Sequence, residues 1–143
     1  TNTDIVTAGA INPVTVNIDF TPVISDPITD FFWSLNDNST SNRLHVGVSA
    51  TNTIDVTSTT GGSSVQIMSS VAQTFTAGTW TTFAVEANYT TDLFDLLRDD
   101  VSLDTYSTAI ASPTGITNFN IGSRDNEASQ PAGWLRNVEV TAP

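Results

Sequence analysis

The sequence predicts an all-β protein, a two-sheet antiparallel β-sandwich with jelly-roll connections, on three observations. Some ten to twelve short segments with alternating apolar residues recur at intervals of about 8 to 12 residues, which is typical of sandwiches and jelly rolls. Thr, Ser and Asn fill the polar positions; Thr favours strands, whereas Ser and Asn favour turns. The sequence contains no linker and no internal repeat, so we expect one domain over residues 1–143, with a core at about 13–140 and an N-terminal arm at 1–12.

The strands can be assigned in order along the chain. In PVTVNIDF the apolar residues occupy every second position from Val14 to Phe20, which is the pattern of a half-buried strand. FFWSL and RLHVGV flank the loop NDNSTSN and are predicted to form a hairpin. Further strands are predicted at Thr53 to Thr57, in VQIM after the turn Gly61-Gly62, and in TWTTFAVEANY, ITNFNIGS and GWLRNVEV.

One segment, TTDLFDLLRDDVSLDTY, fits two structures. Its leucines from Leu93 to Leu97 are spaced for two helical turns, with Thr91 or Asp92 as the N-cap. Leu103 and Tyr106 continue instead in an extended pattern, and Arg98-Asp99-Asp100 suits a tight turn. We therefore predict a hairpin here.

Composition excludes several classes of function. Four Lys+Arg against 15 Asp+Glu give a net charge of −11. A surface of this charge repels phosphates, so neither nucleic acid nor an anionic membrane is an expected partner. With no Cys and only one His, His45, the chain lacks the N and S ligands of most zinc sites and has no disulfide. His45 alternates with Leu44 and Val46 and is expected to be an ordinary sheet residue.

The chain has no apolar run long enough for a transmembrane helix, which needs about 20 residues, so membrane insertion is not expected. No signal peptide is visible at the start, and the absence of an initiating Met indicates a processed or trimmed chain. Charged residues make up only 13% of the sequence, and none of them is Lys. A surface of Thr, Ser and Asn with an excess of acids favours an exposed structural or adhesive role.

Several motifs occur in a characteristic order. They are Asp19–Pro22, Trp33–Asp37, Asn42–Leu44, Ala77–Trp80 with Phe83–Val85, Phe119–Arg124 and Gly133–Val140. Together they resemble the concanavalin A-like, laminin G-type jelly roll, in the compact form found in bacteriophage virion proteins. The resemblance covers about residues 13–140 and departs from the family at Arg98-Asp99-Asp100, where an Asn-Gly turn is usual. It implies that a concave sheet and the loops at its rim bind sugars, proteins or calcium, and that Trp80 and Trp134 pack under the sheets.

Two loops supply candidate ligand-binding residues: Asn36, Asp37, Asn42, Arg124, Asp125 and Asn126. Their oxygens can hold sugar hydroxyls, and Asp37 and Asp125 are candidates for calcium, which takes six to eight oxygen ligands. The alternative is that the Asp and Asn side chains only cap their own turns. Trp33 is a further candidate, because strand alternation sends either Phe32 or Trp33 to the outside.

We do not predict an enzyme. Retaining glycosidases need two carboxyl groups about 5 Å apart, and the glucanases of this fold carry them on one strand as Glu-x-Asp-x-x-Glu. The only glutamates are Glu86, Glu127 and Glu139, none with that spacing, and the chain has no Gly-x-Ser-x-Gly motif.

Three non-catalytic hypotheses remain. The first, which the resemblance and the small size favour, is a protein of the phage virion surface: a capsid decoration (cement) protein or a tail fibre or tailspike domain. Its partners would be major capsid or tail proteins, further copies of itself and a host-surface glycan. The second is a secreted bacterial carbohydrate-binding module, lectin-like, extracellular and calcium-dependent. The third is a laminin G-like domain that binds a protein partner at a cell surface.

Overall fold

The structure consists of β-strands throughout its regular part. The computed structural model describes residues 12–23, 30–49, 51–121 and 133–141. The ten strands are β1 (Val14–Pro22), β2 (Asp30–Asn36), β3 (Arg43–Val48), β4 (Ile54–Thr60), β5 (Ser63–Ser69), β6 (Thr81–Asn88), β7 (Leu93–Arg98), β8 (Val101–Tyr106), β9 (Asn118–Ile121) and β10 (Gly133–Thr141).

The strands form two sheets of five. Sheet 1 has the order β10-β1-β6-β7-β8, and sheet 2 has the order β5-β4-β3-β2-β9. All pairs are antiparallel. The predicted two-sheet sandwich is therefore confirmed. Within the described ranges no helix is long and apolar enough to cross a membrane.

The ambiguous segment is a hairpin, as predicted. Arg98 at the end of β7 pairs with Val101 at the start of β8, so the turn between them has two residues. Asp99 and Asp100 have φ angles of 49° and 63°, and a two-residue turn with positive φ at both positions is type I′, the turn that matches the twist of paired strands. Aspartate tolerates this conformation, so the departure from Asn-Gly leaves the hairpin intact.

The core lies between the sheets, and phenylalanines join them. The alternating residues of β1, from Val14 to Phe20, are buried as predicted. The ring of Phe20 in sheet 1 lies 4.9 Å from that of Phe32 in sheet 2, and Phe32 stacks at 5.4 Å on Phe83 of β6. Phe75, in the connection between β5 and β6, contacts both Phe20 (6.0 Å) and Phe83 (6.1 Å). The β5–β6 connection is thus packed into the same core.

The prediction that either Phe32 or Trp33 faces outward is wrong. Both side chains are buried in the core. The pairing of β2 with β3 shifts between Phe31 and Trp33, which is a β-bulge with an extra residue, Phe32, and a bulge interrupts the strict alternation of a strand. Trp33 therefore packs against Phe119 of β9, with ring centroids 6.3 Å apart.

Two polar contacts also link the sheets. The hydroxyls of Tyr89, just after β6, and Ser58 in β4 are 3.2 Å apart in the interior. Burial raises the pKa of Tyr89 to about 12, against the smaller opposite effect of Ser58. At the edge, the backbone N–H of Ser69 in β5 donates to the carboxylate of Asp104 in β8, at 2.8 Å. Asp104 thus joins the edge strands β5 and β8 of the two sheets.

The close approach of β10 to β1 yields the first prediction. A methyl group at Gly133 would overlap the ring of Phe20 and the backbone oxygen of Thr21. We expect Gly133→Ala to lower the free energy of unfolding by about 1–3 kcal/mol, the usual cost of overpacking, as measured by urea denaturation. Thr141→Ala, at the exposed other end of β10, is the control. A Gly133→Ala protein as stable as this control would show that β10 is not packed as described.

Candidate functional site

The outward face of sheet 2 carries two polar rows, each crossing all five strands. We call them the polar rows. The first contains Asn120, Ser34, His45, Thr57 and Gln66, and the second contains Asn118, Asn36, Arg43, Thr59 and Ser64. Neighbouring strands are about 4.8 Å apart, so each row spans about 19 Å. No member of either row is apolar, so polar side chains follow one another from β9 to β5 without interruption.

Accessibility changes along the rows. Ser34, Asn36, Arg43, His45 and Thr59 are buried. The outer members are more open: Asn118, Asn120 and Thr57 are half-buried, while Ser64 and Gln66 are exposed. The groups that a ligand can reach first therefore lie on β4, β5 and β9.

Hydrogen bonds fix several of these side chains. Asn36 donates from Nδ2 to the Ser34 hydroxyl at 2.9 Å, and the hydroxyls of Thr59 and Ser64 are 2.8 Å apart. Gln66 donates to the carboxylate of Asp55 at 3.1 Å. The face is therefore pre-organised by side-chain contacts within β2 and between β4 and β5.

The loop 37–42 lies at the rim of this face and brings three predicted residues together. Asp37 accepts hydrogen bonds from the Ser39 backbone N–H (3.0 Å), the Ser39 hydroxyl (2.6 Å) and Asn42 Nδ2 (2.9 Å). Asn36 accepts one from the Asn38 backbone N–H at 2.9 Å. Burial raises the pKa of Asp37, but the hydrogen bonds from Ser39 and Asn42 outweigh it and hold this pKa below its usual value.

These contacts are the capping arrangement that was the alternative to a ligand site. Oδ1 of Asp37 accepts two hydrogen bonds from Ser39 and Oδ2 accepts one from Asn42, so three of the about four acceptor sites of the carboxylate are already used. Within the described ranges, no group of three His, Asp or Glu side chains is placed to hold a metal. Calcium at Asp37 stays a prediction.

Four predicted site residues remain to be considered. Arg124, Asp125 and Asn126 lie outside the described residues, so the second loop and calcium at Asp125 also stay predictions. Trp33, with 1% of its surface exposed, is in the core and out of reach of a ligand at the surface. His45 lies within β3, as expected.

A second candidate surface, on the outward face of sheet 1, was missed in the sequence. Trp80 and Trp134 were expected to pack under the sheets, but 37% and 67% of their surfaces are exposed. The reason is strand alternation: Leu135 lies opposite Phe20 and packs against the core, so Trp134 and Arg136 face outward. The expectation for the two tryptophans is therefore wrong.

Asp19 is the polar centre of this second surface. It accepts hydrogen bonds from the Thr82 hydroxyl (2.7 Å), Asn137 Nδ2 (2.7 Å) and Arg136 Nε (3.3 Å). Asn137 has a φ of 48°, at a bulge where the pairing of β10 with β1 shifts, and bulges re-aim side chains. The Thr82 hydrogen bond is the main cause that lowers the pKa of Asp19; Asn137 and Arg136 add to it, against the opposite effect of burial.

The guanidinium of Arg136 also lies on the indole of Trp80, 3.8 Å from the ring centroid. This distance is well within the range of a cation–π contact. Arg136 is therefore held from two sides, by the Asp19 carboxylate and by the Trp80 ring.

The far end of the same face is acidic. A groove of about 540 Å³ is lined there by Thr15, Glu86, Asp95 and Thr105, among others. Glu86 and Asp95 are direct cross-strand partners, an unfavourable pairing of like charges. This groove is therefore unsuited to anionic ligands.

The environment of Asp19 predicts a pH dependence. Because its pKa is lower in the folded than in the unfolded protein, its contribution to stability is complete above the unfolded pKa of about 3.9 and is lost as the pH falls through the folded value. We expect Asp19→Asn to lower the free energy of unfolding by about 1–2 kcal/mol at neutral pH. The difference from the wild type should shrink below about pH 4.

Urea denaturation at several pH values measures both effects. Glu139→Gln, which alters an exposed carboxylate on the same strand, is the control and should change stability little. A constant difference between Asp19→Asn and the wild type down to acid pH would contradict this role of Asp19.

Comparison with solved structures relates this architecture to known proteins. The CBM40 module of the Ruminococcus gnavus IT-sialidase, solved bound to α2,3-sialyllactose, has a TM-score of 0.66 at 16% identity; the match covers 94% of this chain and 78% of that one. Domain 4 of an extracellular arabinanase from Geobacillus stearothermophilus, solved with arabinotriose, scores 0.66 at 11% identity, over 94% and 63%. Mouse laminin α1 domains LG4-5 score 0.64 at 10% identity, over 91% and 35%.

No protein-family model matches the sequence, and no curated protein matches it. The likenesses at these identities concern the fold. The chain therefore has the jelly-roll sandwich that carbohydrate-binding modules and laminin G domains share, as the resemblance implied.

Proposed function

We propose that this protein is a non-catalytic carbohydrate-binding module that acts outside the cell. The observation that carries the proposal is the pair of polar rows on sheet 2, two unbroken lines of hydrogen-bonding side chains across five strands. Support comes from the comparisons, in which two sandwiches of this kind were solved with bound oligosaccharides. Both of these domains belong to enzymes, a sialidase and an extracellular arabinanase.

The rows suit sugar hydroxyls because each hydroxyl both donates and accepts hydrogen bonds. Thr57 and Ser64 offer the same double capacity, and Gln66 offers an amide. A hydrogen bond contributes about 0.5–1.5 kcal/mol net, so three or four such bonds contribute about 4–6 kcal/mol at most, which corresponds to a dissociation constant of roughly a millimolar or somewhat below. We expect the sugar to lie across β4 and β5, where these side chains are accessible.

The rim loops complete the proposed site. Asn36, Asp37 and Asn42 lie next to the second polar row, and Arg124, Asp125 and Asn126 belong to the other loop of the sequence-based prediction. Calcium at Asp37 and Asp125 is part of this proposal, and a chelator tests it directly.

Between the hypotheses drawn from the sequence, the carbohydrate-binding module has support in the comparisons. None of the three neighbours described supports a role on a phage virion with capsid or tail proteins as partners, and this role stays a prediction. Copurification of the protein with virions would support this role.

Binding to a sugar panel tests the proposal. The probes are arabinotriose, lactose, cellotriose, chitotriose and α2,3-sialyllactose, titrated calorimetrically against the whole chain with calcium and again with EDTA. We expect at least one sugar to bind, without hydrolysis. The double variant Thr57→Val/Gln66→Ala, which removes two accessible groups of one polar row, should bind about tenfold more weakly.

Thr105→Val is the matched control, because Thr105 is an exposed threonine on the outward face of the other sheet. It should bind as the wild type does. If no probe binds at millimolar concentration, the proposed function is wrong. If a probe binds equally well to the double variant, the polar rows are not the site.

A further inference from the structure

Trp134 stands in a row with two other residues on the outward face of sheet 1. Thr21 is its partner on β1. The register that pairs Phe20 with Thr81 brings Trp80, one residue before β6, to the other side of Thr21. Trp134 and Trp80 therefore flank Thr21, and Arg136 follows Trp134 on the same side of β10, about 7 Å along the strand. We call Trp134, Trp80, Thr21, Arg136 and Asp19 the Trp134 patch.

The aromatic part of the patch is open to solvent on one side. The side chain of Trp134 is 67% exposed, whereas Trp80 is covered on one face by the Arg136 guanidinium. A flat ring held on an edge strand offers a negatively charged π face. Such a face attracts the weakly positive C–H groups that line one side of a pyranose ring.

The polar part of the patch is pre-organised and carries no net charge. Arg136 and Asp19 form an ion pair at 3.3 Å, and their side chains are 51% and 15% exposed. Thr82 and Asn137 hold the carboxylate of Asp19, and Trp80 holds the guanidinium. A fixed guanidinium donates and a fixed carboxylate accepts, which suits a pair of neighbouring hydroxyl groups on a sugar ring.

Thr21 gives an independent indication that the patch has an unused polar group. Thr21 is 4% exposed, and its hydroxyl has no hydrogen-bond partner among the described residues. A buried polar group without a partner costs about 1–3 kcal/mol. This oxygen is buried, so a ligand hydroxyl between the two tryptophans becomes its partner only where the side chains that cover it move aside.

We propose that the Trp134 patch is a second sugar-binding site, which takes an uncharged hexose or pentose unit of an oligosaccharide. The sugar ring stacks on Trp134, and its hydroxyls bond to Arg136 and Asp19. The charge of Arg136 is already balanced by Asp19, and the protein has a net charge of −11, so an acidic sugar is disfavoured. This inference rests on the proposed function and adds a ligand class and a site on the opposite sheet.

The size of the patch argues against a protein partner. A tryptophan side chain contributes at most about 250 Å² of surface, and only Trp134 and part of Trp80 are open. A stable protein interface needs about 800 Å² on each side. The aromatic surface here matches one or two sugar rings.

The test compares Trp134→Ala, Trp134→Phe and Val101→Ala with the wild type on the same sugar panel. Val101 is the matched control because it is 65% exposed, almost as much as Trp134, and lies on the other edge strand of the same sheet. We expect Trp134→Ala to weaken the binding of a neutral probe about tenfold or more. Trp134→Phe should retain part of the affinity, and Val101→Ala all of it.

Tryptophan fluorescence provides a second measurement that reports on the patch itself. Stacking removes Trp134 from water, so the emission of the wild type should shift to shorter wavelength when arabinotriose, lactose or another neutral probe binds. The shift should be smaller in Trp134→Ala. Urea denaturation of each variant verifies that the change at this exposed position leaves the fold intact.

Each result decides between the two proposals. Binding of a neutral probe that Trp134→Ala leaves unchanged overturns the second site but not the proposed function. Binding confined to α2,3-sialyllactose overturns the uncharged ligand class. A wild type that is dimeric in solution and becomes monomeric in Trp134→Ala assigns the patch to self-association instead. Binding of no probe overturns the proposed function, and with it this inference.

Discussion

The packing of phenylalanine rings between the sheets is the contact on which the rest of the molecule depends. Phe20, Phe32 and Phe83 come from three strands of two sheets, and Phe75 adds the β5–β6 connection. With Phe20 fixed inward, its neighbours Asp19 and Thr21 must face outward, because strands alternate. The same constraint turns Trp134 and Arg136 to the outside through their pairing with β1. The core thus determines which polar and aromatic groups can meet at the surface.

The sequence carried enough information for the fold but not for the site. Period-two alternation predicted β1, and the Asp99-Asp100 turn predicted the β7–β8 hairpin, because both signals are local. The bulges at Phe32 and Asn137 could not be predicted, since an inserted residue changes the pairing without leaving a mark on composition. Without them either Phe32 or Trp33 was assigned outward, and Asn137 was not recognised as a partner of Asp19.

The polar rows could not be predicted for the same reason, because they depend on how several strands pair. Ser34, His45 and Thr57 are unremarkable polar residues in the sequence, and only the register of three strands brings them into line. Trp134 is different, because its neighbour Leu135 is apolar and alternation alone indicates that Trp134 faces outward. The family resemblance predicted that Trp134 packs under the sheets, whereas strand alternation gives the orientation that the structure has.

The two proposed surfaces lie on opposite sides of a sandwich, with the core between them. Packed sheets are about 10 Å apart, so a short sugar cannot contact both faces. Two sites on opposite faces can bind two polysaccharide chains, or two segments of one polysaccharide. Binding at two linked sites raises the apparent affinity without stronger contacts at either site. Weak single sites would then be sufficient on a polymeric surface.

The pairing of the first described strand with the last has a consequence for attachment. Thr15 lies beside Thr141, so β1 begins and β10 ends at the same end of sheet 1. Thr21 and Trp134 lie six residues further along β1, about 20 Å away. A tether joined to the start of β1 or to the end of β10 would therefore hold the sandwich at one end, and the two tryptophans would lie at the opposite end.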